Sequence, residues 1–227
     1  MKVLGLFLGA LVAFSLAGCG DDGGSSTGGG GTGGATGGTG GATGGTGGAT
    51  GGTGGATGGA GGVALTCDDY CAEVEANCTG DNAQYPTTEA CKGVCATFDP
   101  GTLADMSGAT LGCHLYHGGA PAAGTPATHC PHAGPLGGGA CGEDCANFCE
   151  IAVAVCGSQG TPPYSDAAAC MTACMSFPDT TAVPYNTSVS SGDSLACRMY
   201  HLTVAATSAA DAATHCPHIA ATSTTCM

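Results

Sequence analysis

Seven histidines are the residues with spacing that could do chemistry, and all of them lie in two pairs of related segments. The first pair is Cys113-His114-Leu115-Tyr116-His117 and Thr128-His129-Cys130-Pro131-His132. The second is Cys197-Arg198-Met199-Tyr200-His201 and Thr214-His215-Cys216-Pro217-His218. His117, His129 and His132 therefore match His201, His215 and His218, while His114 is replaced by Arg198. A ligand set common to both segments consists of the three shared histidines. Three neutral imidazoles with one open coordination position suit Zn²⁺ or Cu²⁺. Cys113 and His117 are four apart, so on a helix they share a face. His129 and His132 flank Cys130 across Pro131, a stiff turn that can aim both rings one way. Against a metal stands the lack of a carboxylate at matching positions to orient the rings. Asp211 is close in the second copy only. A repeated histidine can equally be a packed ring that satisfies backbone carbonyls beside a disulfide.

What must position these residues is an internal repeat rich in cysteine. Cys67, Cys71, Cys78, Cys91, Cys95, Cys113, Cys130 and Cys141 match, in order, Cys145, Cys149, Cys156, Cys170, Cys174, Cys197, Cys216 and Cys226. Tyr70 matches Phe148, Tyr85 matches Tyr164, Phe98 matches Phe177 and Tyr116 matches Tyr200. There is no Trp, and large apolar residues are scarce. So small a core needs covalent staples. Sixteen repeat cysteines, an even set, read as a disulfide framework.

Each copy reads as helical, which makes the fold class all-α: two tandem, disulfide-stapled repeats. Thr66 caps a first helix with Asp68 and Asp69 in its first turn, favourable against the helix dipole. Cys67, Cys71, Val74 and Cys78 then share one face. Gly80-Asp81-Asn82 breaks it. A second helix starts at Pro86-Thr87-Thr88-Glu89 and ends at Pro100-Gly101, with Cys91, Val94, Cys95 and Phe98 inward. In the second copy it runs from Ser165-Asp166 to Phe177-Pro178. A third helix is expected from near Ser107 to His117, and from near Asp193 to Ala206. Thr125-Pro126 opens a short last turn that Pro131 should stop.

In antiparallel helices, residues whose numbers share one sum face each other. Cys67 with Cys95 and Cys71 with Cys91 share a sum, as do Cys145 with Cys174 and Cys149 with Cys170. Nested bridges follow. For the rest, the expectation is Cys78–Cys113, Cys130–Cys141, Cys156–Cys197 and Cys216–Cys226. The twin C-x3-C pattern resembles disulfide-bonded helical hairpins such as the small mitochondrial chaperones, over about thirty residues per copy. That resemblance implies geometry and not function. Zinc-finger use of the cysteines needs free thiolates and C-x2-C spacing, which this chain lacks.

The chain begins with Met1-Lys2, an apolar run from Val3 to Ala17, and Leu16-Ala17-Gly18-Cys19. This resembles the lipobox of bacterial lipoproteins. The resemblance implies removal of residues 1–18, lipid on Cys19, and a membrane partner through that lipid. Gly20, with Asp21 and Asp22 after it, leans to the outer membrane of the cell envelope, facing the periplasm or the surface. Residues 20–62 repeat a Gly-Gly-Thr-Gly-Gly-Ala-Thr theme with nothing to bury and are expected to form a disordered tether. A flexible coil of that length spans roughly 35–40 Å. The domain reading is a signal peptide over 1–18, a lipidated tether over 19–62, repeat 1 over 63–141 and repeat 2 over 142–227.

A formal charge of −14, with Lys2, Lys92 and Arg198 as the only cationic side chains, excludes nucleic acid as a partner. No P-loop, G-x-S-x-G or H-E-x-x-H motif occurs in the folded part from residue 63 on, and no acid–base pair recurs between the copies, so no enzyme is expected. The leading expectation is a lipid-anchored module of structural or protein-interaction role, its protein partner unspecified. The alternatives are a Zn or Cu protein using three histidines per repeat, and, last, a secreted enzyme.

Overall fold

The structure is a computed structural model that describes residues 65–159, 162–178 and 184–227. The expected signal peptide, Cys19 and the expected tether lie outside the described residues. Those described are helical, with no strand among them and a single isolated bridge between Asp99 and Thr110. Both copies belong to one compact unit.

Copy 1 opens with α1 (Cys67–Asn77), whose N-cap Thr66 accepts from the Asp69 amide at 3.1 Å. After a 3₁₀ turn at Gly80–Asn82 comes α2 (Thr88–Cys95), capped by Thr87. Short polar caps of this kind satisfy amides that the first helical turn leaves unpaired. The two helices form a hairpin closed by Cys67–Cys95 and Cys71–Cys91. The third helix, α3 (Leu111–Gly118), starts later than the Ser107 expected, because the chain first turns through Gly108 at φ +89°. Thr110 then caps it, accepting from Cys113 N at 3.2 Å.

Two further helices complete the copy. The sequence gives no periodic signal for α4 (Ala120–Gly124), a five-residue turn. The last, α5 (Pro126–Ala133), runs through Pro131, which was expected to stop it. So near the helix end, Pro131 forfeits only one intrahelical bond, and its ring meets the open cavity that Ala127 and Thr128 also line.

Copy 2 contains α6 (Asp144–Cys156), α7 (Ala167–Cys174), α8 (Leu195–Ala205) and α9 (Ala209–His215). Its hairpin is closed by Cys145–Cys174 and Cys149–Cys170. Here the helix changes at the proline: Cys216–Ile219 is a 3₁₀ turn with Pro217 in its first positions.

The remaining four bridges differ from the expected pairing. Cys78 bonds Cys130 and Cys113 bonds Cys141; Cys156 bonds Cys216 and Cys197 bonds Cys226. The pairs Cys78–Cys113, Cys130–Cys141, Cys156–Cys197 and Cys216–Cys226 are therefore corrected. The reason is the turn-back after α3. In copy 1, α4 reverses the chain and lays α5 against both α1 and α3. Cys130 then meets the end of α1, leaving Cys113 to the loop beyond α5. Peptide mapping without reduction should recover Cys78 with Cys130 and Cys113 with Cys141; recovery of Cys78 with Cys113 would contradict this packing.

The copies meet through α2 and α8, and two hydrogen bonds support the contact. Thr187 N donates to Ala83 O at 2.9 Å, and Gln84 Nε2 donates to Tyr185 O at 3.2 Å. At the closest approach a Cβ on Gly93 would stand 2.0 Å from Ala206 O. Alanine in place of a helical glycine normally gains up to about 1 kcal/mol. Here the sign reverses. G93A should destabilise by about 1–3 kcal/mol, the usual cost of overpacking, read by denaturant unfolding with the bridges intact.

Candidate metal centres

His117 sits in the last turn of α3, while His129 and His132 sit on α5. Cys78–Cys130 anchors α5 between the two α5 histidines, and Cys113–Cys141 anchors α3 one turn before His117. A tyrosine fixes the far end of the segment: Tyr70 Oη donates to Ala133 O at 2.6 Å. In copy 2 the matched residue is Phe148, which has no hydroxyl. There Tyr164 Oη donates instead to Ile219 O, the carbonyl one residue past His218. Different tyrosines thus grip the same backbone position, three residues after Cys130 and Cys216.

The result is two histidine triads. Nδ1 of His117 is 2.9 Å from Nδ1 of His129, and Nδ1 of His201 is 2.9 Å from Nδ1 of His215. Nδ1 of His218 is 3.3 Å from Nδ1 of His201. In each triad the ligand atoms lie within 4.8 Å of one another. Tetrahedral zinc with bonds of about 2.0–2.1 Å to nitrogen sets neighbouring donors roughly 3.3 Å apart. The 2.9 Å pairs are ring-to-ring hydrogen bonds, a little shorter than that spacing, and the three rings converge closely enough for one ion to replace them. His117 and His201 are buried, and the other four are half-buried.

Orientation comes from the backbone. His117 Nε2 lies 3.2 Å from Met106 O, so as a donor there it leaves Nδ1 unprotonated, able to accept from His129 Nδ1 or to bind a metal. In copy 2 the Ser190 carbonyl, also eleven positions before its histidine, acts on His201 and favours its charged form. His201 Nε2 is nonetheless buried without a bond of full hydrogen-bond geometry, and so is His132 Nδ1. In copy 1 a backbone carbonyl thus takes the place of the missing carboxylate, which no side-chain pattern reveals.

Burial is the first cause that holds the pKa of His117, His132 and His215 below the usual imidazole value. It takes His201 down to about 4, with His218 and His215 adding to the effect. Neutral rings are the form a metal requires. Asp211 accepts from the Thr207 and Ser208 hydroxyls at 2.8 and 2.6 Å and partly offsets the lowering of the His215 pKa.

His114 and Arg198 stand outside the triads and hold the core. His114 stacks on Phe98, with centroids 4.2 Å apart, and its Nδ1 meets Ala133 O at 3.3 Å. Arg198 lies 3.8 Å above the Phe177 ring and donates to the Asp193 carboxylate at 2.9 Å and to Cys226 O at 3.1 Å. Burial pushes His114 down to about 4, while the unfolded chain titrates near the ordinary 6.5. The folded state thus resists a proton that the unfolded state takes up. Its contribution is complete above about pH 6.5 and is lost as pH falls towards 4, a difference of about 3 kcal/mol. H114F keeps a stacking ring without a proton site. Its unfolding free energy should fall less between pH 7 and pH 4 than that of the unaltered metal-free protein; equal slopes would contradict this role.

No curated protein and no solved structure matches the chain. Residues 63–144, which hold the whole of copy 1 and its triad, match the family model described as the BfoA family C-terminal domain, and over that span the chain is similar to that family.

Proposed function

We propose that the protein is a lipid-anchored, extracytoplasmic metal-binding protein, with one tri-histidine centre in each copy for Zn²⁺ or Cu²⁺. The observation that carries this is the convergence of three ring nitrogens, twice, at ligand spacing. His117, His129 and His132 form one centre; His201, His215 and His218 form the other. Three nitrogen donors leave one coordination position for water or an exogenous ligand. Eight disulfides support an oxidising compartment outside the cytoplasm. No helix among the described residues is long and apolar enough to cross a membrane, so the anchor in this proposal is the lipid on Cys19. The proposal includes no catalytic role and no nucleic-acid partner.

Isothermal titration of the protein, purified without metal or a histidine tag, tests the reading. Two Zn²⁺ or Cu²⁺ ions per chain are expected at neutral pH, and no histidine-dependent heat would refute it. For the anchor, C19S should move the protein from the membrane pellet to the soluble fraction, because in this proposal Cys19 carries the acyl chains that together hold it there. A variant that still pellets would place the anchor elsewhere.

One observation favours a second reading, a protein-interaction role. Leu103, 57 % exposed, and Tyr116, 40 % exposed, border a groove of about 580 Å³ with Leu115 and Pro121. A protein partner retained after all six triad histidines are replaced would support it.

A further inference from the structure

Two ligand sets overlap in each copy. The sulfurs of Cys113 and Cys141 and a ring nitrogen of His117 lie within 4.8 Å of one another, as do those of Cys197, Cys226 and His201. The same histidine is therefore the central ring of the triad and the neighbour of a disulfide. The arrangement recurs although the loops between the copies' cysteines differ, with bridge separations of 28 and 29 residues. Helix geometry enforces part of it: Cys113 and His117 are one turn apart on α3, and Cys197 and His201 on α8.

A disulfide sulfur is a poor donor, whereas a thiolate is among the strongest for zinc and for Cu⁺. We infer that opening the Cys113–Cys141 bridge, or Cys197–Cys226, converts the adjacent tri-histidine centre into a mixed thiolate–imidazole centre, with His117 or His201 common to both states. The inference rests on the tri-histidine reading. Two molecules of a small thiol supply two electrons and two protons. The S–S bond breaks, two cysteine thiols form, and the reductant's sulfurs become joined in a disulfide. A dication then displaces both protons and binds both sulfurs. The ligand set gains two negative charges and shifts in preference towards soft ions. All four cysteines are fully buried, so the reductant class is a small thiol and not a protein dithiol.

The test uses the full chain with C141S, which leaves Cys113 as the one unbridged cysteine among residues 65–227, and Co²⁺ as the probe. Formation of the other seven bridges is checked by peptide mapping, and C226S gives an independent reading in copy 2. The expected result is a thiolate-to-cobalt charge-transfer band, absent from the unaltered protein and from C113S/C141S. Bound Co²⁺ should slow alkylation of Cys113 by roughly tenfold or more, since the metal-bound thiolate is not free to react. Alkylation at one rate with and without Co²⁺, and no band, would overturn the inference. If the unaltered protein binds Co²⁺ while C141S shows no band, only this inference falls. If C141S shows the band while the unaltered protein binds nothing, the tri-histidine reading falls and the thiolate site stands.

Discussion

H117A should leave the protein with one metal ion instead of two. His117 is the buried member of its triad, and its Nδ1 is 2.9 Å from that of His129. Structural zinc sites of four ligands bind with about 10–16 kcal/mol, so one ligand represents roughly 3–4 kcal/mol, or a few hundredfold in affinity. The site in copy 2 should keep its affinity, because His201, His215 and His218 belong to separate helices and turns. H201A should give the mirror result. Because His117 is buried, its loss also touches packing, so H129A and H132A, both at half-buried positions, serve as parallel variants. Metal titration with peptide mapping checks all of them. Loss of both ions in H117A, or of neither, would contradict two independent centres.

Removing the bridge between Cys78 and Cys130 should be the most damaging covalent change in copy 1. It closes 52 residues, against 28 for Cys67–Cys95. In the chain-entropy account, C78A/C130A costs about 4 kcal/mol, and C67A/C95A somewhat less. The consequences for metal should diverge more than those for stability. Cys130 lies between His129 and His132 and fixes α5 to the end of α1. Cys67–Cys95 instead staples the far end of the hairpin. C78A/C130A should therefore lose both stability and the first ion, whereas C67A/C95A loses stability and retains the ion. Chemical unfolding paired with Zn²⁺ titration separates the two. Retention of the ion at full affinity in C78A/C130A would show that the bridge does not position the triad.

The hairpins were legible because helical spacing leaves a direct trace. Cysteines four apart on two antiparallel helices admit a nested arrangement, and Thr66 and Thr87 mark where those helices begin. The second set of bridges left no such trace. Its pairing depends on how α5 turns back over α1 and α3, and α4, which makes that turn, is five residues of Ala, Pro and Gly without periodicity. Pro131 misled for a related reason, since its effect depends on the space its ring meets. For the candidate centres, repetition alone singled out six histidines and set aside His114, which packs on Phe98. What repetition could not show was the orienting groups. Met106 and Ser190 act through backbone carbonyls, so their side chains carry no message. The grip on the segment's end passes from Tyr70 in one copy to Tyr164 in the other, and comparing matched positions hides that exchange.

The most direct test of the tri-histidine account is the metal content of the purified full chain, all bridges formed and no histidine tag present. Elemental analysis by mass spectrometry follows equilibration with Zn²⁺ or Cu²⁺ at neutral pH and removal of free ion. The account predicts two ions per chain, one in H117A or H201A, and none when both histidines are replaced. Fewer than one ion in the unaltered chain, or two ions that survive the double replacement, would contradict it.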